Sequence, residues 1–423
     1  MYSLGKIGKW LSKSVNVQLP ITSFAIDSRD VVQGSVFIAL KGQTVDGHNY
    51  LKEVKDKGAF AAIVSLDYKG SDFGLILFFV EDPLKALHEI ARCALAERKT
   101  KIIGITGSIG KTTTKEFLYD ILKRKFKVHK TLGNRNSQAT MPLAILEAKG
   151  DEEYLILEMS MTEKGNILNL VKIAPTDIVI LNPVVACHSK NFESVTGIAE
   201  AKSEIFCEKT KFAVVHERAY KFDVVKDRMP KDFVISPKRV DFETPFTESH
   251  LLENISAAIE VAKYLGMNDY EIKDVVKFLK PIERRFEKKV KHKITFIDDS
   301  YNANATSMIA ALRNLPKPKS LSRTLAVLGS MKDLGSYSFI SHVEVAKEAK
   351  ERIDELFCIG EEAKVMHEEF KKSGKPSKYF ECYNELKNEL KKTAKQGDVV
   401  LVKGSNSHQL WKVISDFDTT ESF

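Results

Sequence analysis

The chain has 423 residues, enough for roughly two to four domains with ample core. Apolar residues make up 43% and charged residues 29%, a balance that excludes both a disordered chain and a membrane-embedded one. The 65 Lys and Arg exceed the 57 Asp and Glu by a net +8, but the charges are interspersed, as in Glu283–Lys289, so no basic stripe speaks for a nucleic-acid partner.

Residues 1–10 lack the continuous apolar core of a signal peptide, and no later stretch offers the ~18 uninterrupted apolar residues of a membrane span. The five cysteines (Cys93, Cys187, Cys207, Cys358, Cys382) form no C-x-x-C pair, which argues against structural zinc or a disulfide framework. Reduced thiols, a cytoplasmic location and no membrane insertion are the expectation, and nothing demands more than a monomer.

Three regions follow in chain order, with predicted boundaries at 1–97, 98–280 and 281–423. The first holds short strands at Ser35–Leu40, Ala61–Ser65 and Leu75–Val80 and a helix near Leu84–Arg98, then a polar linker at Glu97–Thr100. The second alternates apolar strands (Lys101–Ile105, Tyr154–Met159, Asp177–Leu181, Phe212–His216) with helices (Lys115–Leu122, Ser194–Glu208, His250–Leu265), the pattern of a largely parallel α/β sheet. In the last of these helices Leu251, Ile255, Ala258 and Val261 fall on one face. The third alternates again, with strands at Ile294–Asp299, Thr324–Gly329, Leu356–Gly360 and Asp398–Lys403. Each of these ends in Asp, Gly or Lys at the edge where open α/β sheets bind ligands.

Gly107-Ser108-Ile109-Gly110-Lys111-Thr112-Thr113-Thr114 stands between the first central strand and a helix, the context of a phosphate loop. Its glycines let backbone N–H groups turn toward phosphate oxygens, and the helix N-terminus adds a favourable dipole. Lys111 would reach the β- and γ-phosphates and the Thr112 hydroxyl would ligate Mg²⁺. One position departs from G-x-x-x-x-G-K-[ST]: Ile105 stands where the first glycine belongs. Glu158 at one strand end, His188 after another and Lys202 in a following helix all fall on the loop's side of a parallel sheet. They are the candidates for metal ligation and charge stabilisation in phosphoryl transfer.

These residues resemble the Mur ligase family. Its signature T-G-x-x-G-K-[ST] reads Thr106-Gly107-Ser108-Ile109-Gly110-Lys111-Thr112, and the family does not require glycine at 105. The Glu158-Met159 strand end and the Asn182-to-His188 segment also match. The resemblance implies a small α/β N-terminal domain, a central P-loop ATPase-like domain and a C-terminal Rossmann-like domain, using ATP and Mg²⁺. It implies Glu158 and His188 as Mg²⁺ ligands and Lys202 as a carbamylated lysine, whose anionic oxygens could then face the metal. Ser28, Arg29, Lys41, Gly42, Asp46 and His48 match the segment that holds a UDP-sugar. His250 and Asn254 match the helix that contacts adenine, Asp299 the carboxylate at the ribose, and Arg285 the arginine that approaches the ATP phosphates across a domain interface.

Asp298-Asp-Ser-Tyr-Asn-Ala-Asn304, with Tyr301, Asn302 and Asn304, is typical of the branch that joins D-alanyl-D-alanine to UDP-N-acetylmuramoyl-tripeptide. Gly329–Gly335, His342 and Val402–Ser405, including Lys403, agree with it, and Asn134 and Asn136 fall in the substrate loop Gly133–Ser137. Departures are Arg284 for the usual glycine before Arg285, Ser137 for asparagine, Ser160 for glycine and Lys190 for an acidic residue. The resemblance leaves open a sibling ligase that adds the third amino acid, which would carry Asp-Asn-Pro-Arg in place of Asp298-Asp-Ser-Tyr-Asn. It also leaves open a nucleotide-binding assembly protein without catalysis.

Overall fold

The computed structural model describes residues 2–13, 17–42, 44–186, 191–318 and 321–418. Its strands form three sheets. The first comprises β1 (Phe24–Ala25), β2 (Val36–Ile38), β3 (Ala61–Ser65) and β4 (Ile76–Val80), parallel and in that order. The second comprises β5 (Lys101–Thr106), β6 (Val128–Lys130), β7 (Tyr154–Glu158), β8 (Ile178–Leu181), β9 (Phe212–His216) and β10 (Phe233–Ser236). Its order is β10-β9-β8-β5-β7-β6, all parallel. The third comprises β11 (Glu287–Lys291), β12 (Ile294–Asp298), β13 (Thr324–Gly329), β14 (Glu355–Ile359), β15 (Ser377–Phe380) and β16 (Val399–Lys403). Its order is β11-β12-β16-β13-β14-β15, parallel except for the antiparallel β11–β12 pair.

The central strands are apolar on both faces because helices cover both. Ile102, Leu155, Leu157, Val179 and Leu181 face one buried cluster, and Ile103, Ile105, Ile156, Ile178 and Ile180 face the other. The first cluster also contains Leu87, Ile90 and Ala94 of the helix Pro83–Ala96 and Val36, Ile38 and Ile63 of the first sheet, so the core runs without a break past residue 97. The second seats the helices Lys111–Leu122 and Ser249–Tyr264 against each other through Phe117, Leu118, Leu251 and Ile255. Ile105 lies inside β5 with its side chain fully buried among these residues. The strand runs on through Thr106 and the turn starts only at Gly107, so a glycine at 105 would empty the core without serving the loop.

Two helices differ from the sequence expectation. The phosphate-loop helix begins at Lys111 rather than Lys115, and the one expected over Ser194–Glu208 spans Val195–Ser203, with Ser194 accepting from the Gly197 amide as its cap. The strand β11 was not anticipated. It is a lysine-rich edge turning into β12 through His292 and Lys293, both at positive φ. Such an edge is poor in β signal, yet its charge discourages pairing with other chains.

Candidate active site

The phosphate loop is shaped by two asparagines. Gly107 has φ +151, and a Cβ there would fall 2.5 Å from the Asn182 Cβ; Gly110 has φ +81, and a Cβ there would fall 2.4 Å from Asn254 Oδ1. Only glycine lets the backbone approach this closely in these conformations. Beneath the loop, Asn182 Nδ2 donates to Thr114 Oγ1 at 3.0 Å, and Thr114 Oγ1 donates to Asn254 Oδ1 at 3.1 Å. The Lys111 and Lys202 ammonium groups both donate to the Gly107 carbonyl, at 2.8 and 3.0 Å. Lys202 is buried to 1% exposure rather than facing water, as most helical lysines do. Two ammonium groups and a helix N-terminus thus converge where a polyphosphate would need positive charge.

Thr112 and Glu158 meet at the end of β7. Thr112 Oγ1 donates to Glu158 Oε2 at 3.0 Å, while Asn136 Nδ2 donates to Glu158 Oε1 at 2.8 Å. From the third sheet's side, Arg285 Nη2 donates to Thr112 Oγ1 at 3.1 Å. The Arg285 guanidinium lies 3.8 Å from the Tyr301 ring centroid, and its Nε is buried without a hydrogen-bond partner. Two further contacts cross the same interface: Ser249 N donates to Asn314 Oδ1 at 3.0 Å, and Tyr337 Oη donates to Glu193 O at 3.1 Å.

Arg284 adopts φ +59, which shows what glycine would supply at this position. The arginine offsets that strain by stacking its guanidinium 4.0 Å from the Trp411 ring centroid, while its backbone N–H donates to Glu287 Oε2 at 3.2 Å. Beside it, Lys403 is buried and organises the 299–302 loop, donating to Asp299 Oδ2 at 2.6 Å, Asp299 O at 3.3 Å and Asn302 O at 3.0 Å. Burial pulls the Lys403 ammonium below the usual lysine range, with Asp299 opposing the shift. His250 is held neutral by burial, packs edge-on to Phe286, and leaves Nδ1 without a partner.

These groups surround one cavity of about 550 Å³ between the second and third sheets. Its lining takes in the loop from Ser108 to Thr113, Asn134, Asn136, Glu158, His250, Asn254, Arg285, Asp299, Tyr301, Asn302, Asn304 and Lys403. Thr106, Gly107 and Lys202 lie just behind that wall, Lys202 through its bond to Gly107. His188 and Lys190 lie outside the described residues. Among the described residues, no three His, Cys, Asp or Glu side chains cluster to hold a metal.

The residues read as UDP-sugar ligands form a separate cluster on the first sheet. Asp46 Oδ1 caps the turn Gly47–Tyr50 through the His48 amide and pairs with His48 Nδ1 at 2.6 Å. The Ser65 amide donates to His48 Nε2 at 3.1 Å, which fixes the proton on Nδ1. The backbones of Lys41 and Asp46 form an isolated antiparallel β-bridge, and the Gly42 amide donates to Val45 O at 2.8 Å. Ser28 is buried at the start of a short turn, while the mostly exposed Arg29 chelates Asp27 and holds that carboxyl at about 2.

The sequence reading gives no role to two structural participants, although it names Asn182 as the start of a matching segment. Asn182 has a weak signal, a polar residue closing an apolar strand. Lys115 has none: it reads as one more charge on a charged helix, yet it is fully buried and 3.4 Å from Glu158 Oε2.

Three family models match the chain: Mur ligase family, catalytic domain, over residues 20–74; Mur ligase middle domain over 105–235; and Mur ligase, glutamate ligase domain, over 284–406. UDP-N-acetylmuramoyl-tripeptide--D-alanyl-D-alanine ligase of Bacillus subtilis is 30% identical over 94% of this chain and 93% of its own length. The Escherichia coli protein of the same name is 27% identical over 94% and 93%. The crystal structure of MurF ligase from Thermotoga maritima in complex with ADP superposes with a TM-score of 0.78 at 29% identity, covering 93% of this chain and 96% of that one. With a three-sheet α/β architecture and a phosphate loop that faces an arginine from the third sheet, the chain belongs to the Mur ligase family.

Proposed function

We propose that this protein is an ATP-dependent amide ligase that adds D-alanyl-D-alanine to UDP-N-acetylmuramoyl-tripeptide, a step in making peptidoglycan precursors. The observation that carries the reading is the single cavity in which the phosphate loop, Glu158 and Arg285 meet the Asp299–Asn304 loop. Relatives that bear this activity in their names match over nearly their full length.

ATP fits the residues present. Glycine positions bring the backbone close to where phosphates would sit, and the unpartnered Arg285 Nε and His250 Nδ1 offer polar atoms to a ligand filling the cavity. Thr112 and Glu158 are the hard oxygen donors that would hold Mg²⁺, which when bound would neutralise charge on the phosphates. Lys202 and His188, read as further metal-side groups, stay part of the proposal.

Amide formation needs a leaving group better than oxide. The γ-phosphoryl group passes from ATP to the substrate carboxylate, giving an acyl phosphate and ADP. The D-alanyl-D-alanine amine attacks the carbonyl carbon, the C–N bond forms, the C–O bond to phosphate breaks, and the amine sheds its proton. The chain's own groups serve by position and charge. Lys111 moves from the Gly107 carbonyl to the phosphates, Arg285 spreads its planar fork over the transferred group, and Lys403 holds Asp299 in place for the ribose. The Asn134–Asn136 loop orients the peptide carboxylate, while Tyr301, Asn302 and Asn304 line the amine's approach. The first-sheet cluster of Ser28, Arg29, Lys41, Gly42, Asp46 and His48 tethers the UDP end away from the chemistry. Residues 1–97, 98–280 and 281–423 thus divide sugar, nucleotide and amine among them.

Phosphate release from ATP, followed with a panel of UDP-muramoyl peptides and amines, tests this. Stimulation by the tripeptide with D-alanyl-D-alanine supports it. Stimulation by the dipeptide with a diamino acid instead would assign the sibling reaction, and ATP binding with no stimulated turnover would leave a non-catalytic nucleotide-binding protein.

A further inference from the structure

A lysine ammonium with no exposure at all is expensive to keep unless its partners hold it firmly. Lys115 has three. Its Nζ donates to the Gly133 carbonyl at 2.8 Å and lies 3.4 Å from Glu158 Oε2 and 3.3 Å from Glu116 Oε1. Glu116 pairs in turn with Lys130 of β6. Gly133, at φ +54, has nothing within 4 Å of a would-be Cβ, so its glycine serves to aim this part of the backbone rather than to make room. Three residues on, Asn136 donates its side-chain amide to the other Glu158 oxygen at 2.8 Å and accepts at its carbonyl from Ser160 N at 3.0 Å. Lys115 therefore grips the carboxylate and the root of the 133–137 loop at once, from the helix that begins with Lys111 and Thr112.

We propose that Lys115 is a positioning residue of this active site. It locks Glu158 and the Asn134–Asn136 loop to the phosphate-loop helix, so that the metal side and the peptide-carboxylate side keep one fixed spacing. It is not among the residues that line the cavity. Its charge also shares Glu158 with any cation held there. The inference rests on the ligase reading for its peptide half, while its Glu158 half is tested by nucleotide binding alone.

The experiment compares wild type, Lys115→Met and Lys115→Arg. ADP affinity is measured by calorimetry in EDTA and in excess Mg²⁺, and steady-state kinetics are measured with ATP, UDP-tripeptide and D-alanyl-D-alanine. Partners that orient metal ligands typically contribute about 10- to 100-fold in metal affinity or activity. For Lys115→Met we expect unchanged ADP affinity in EDTA, a Mg²⁺-dependent increment altered by about tenfold or more, and a raised KM for the UDP-tripeptide beyond any change in KM for D-alanyl-D-alanine. Lys115→Arg should recover most of both. If Lys115→Met does not fold, Asn136→Ala, which leaves the buried ammonium paired, should reproduce the tripeptide KM effect. The idea is overturned if folded Lys115→Met keeps the wild-type Mg²⁺ increment and KM values, if its losses only track a lower folded fraction, or if, with Lys115→Met unfolded, Asn136→Ala keeps the wild-type tripeptide KM. Wild type that shows the Mg²⁺ increment but no substrate-stimulated turnover would sink the ligase reading while leaving the Glu158 half to be judged by calorimetry.

Discussion

Lys403→Met removes an ammonium with little change in shape and leaves three oxygens short of a donor: Asp299 Oδ2, Asp299 O and Asn302 O. Breaking a buried pair from one side costs about 3–5 kcal/mol. The low end applies here, because Asp299 borders the cavity at 13% side-chain exposure and its Oδ1 still accepts from Phe286 N at 3.1 Å. Relief of the buried ammonium's own desolvation works in the same direction. About 3 kcal/mol, at roughly 2–4 °C per kcal/mol for a unit of this size, lowers the third region's melting transition by about 6–12 °C. Differential scanning calorimetry would read this, and the KM for ATP should rise because Asp299 loses its brace. A transition within about 2 °C of wild type would refute the reasoning, since it would mean that water or a neighbour replaces the ammonium at no cost.

Arg285→Lys keeps the charge but loses the planar fork stacked on Tyr301; we expect kcat to fall by about 10²–10³-fold with the melting temperature little changed, measured by ATP turnover and thermal unfolding. Gly110→Ala places a methyl group 2.4 Å from Asn254 Oδ1 in a left-handed conformation that alone costs about 1–2 kcal/mol, so calorimetry should find ADP binding abolished. His342 must stay neutral, since its Nε2 accepts from Met331 N at 3.1 Å while Nδ1 faces Ser338 O at 2.7 Å, and burial keeps its pKa below the ordinary 6.5. The unfolded chain takes up that proton near 6.5 and the folded chain resists it, so this contribution is full above 6.5 and is lost as pH falls toward the folded pKa. His342→Gln should therefore flatten the acid limb of a stability-versus-pH curve by up to one proton's slope, leaving the part due to the other histidines that burial lowers, His88, His129, His250, His367 and His408.

Much of this was legible because chemistry and periodicity agreed. Strands β3, β9 and β13 are apolar runs closed at their C-terminal ends by Ser65, His216 and Gly329, and their observed limits coincide with those read from the sequence. The phosphate loop is legible for a related reason: its glycines and lysine have few other uses in that order. What escaped depends on long-range partners. β6 has only half-buried residues and exists because β7 lies beside it, while β11 is a charged edge held by β12. Lys115 becomes special only once the fold sets its helix against the end of β7. The first-sheet cluster could be named from its residues, but its distance from the cavity is a property of the fold and not of any local pattern.

The hydrogen-bonded buckle of Asn182, Thr114 and Asn254 has a consequence for the order of events. It joins the end of β8, the phosphate-loop helix and the helix bearing His250 within the second sheet's own layers, so the phosphate cradle is already shaped before any nucleotide arrives. Little ordering entropy then remains to be lost on loading. Arg285 and Asp299, by contrast, belong to the third sheet's region and line the same cavity from its other side. The groups that shape the phosphate cradle and those that face it across the cavity therefore belong to different sheets, joined directly by the Arg285–Thr112 hydrogen bond.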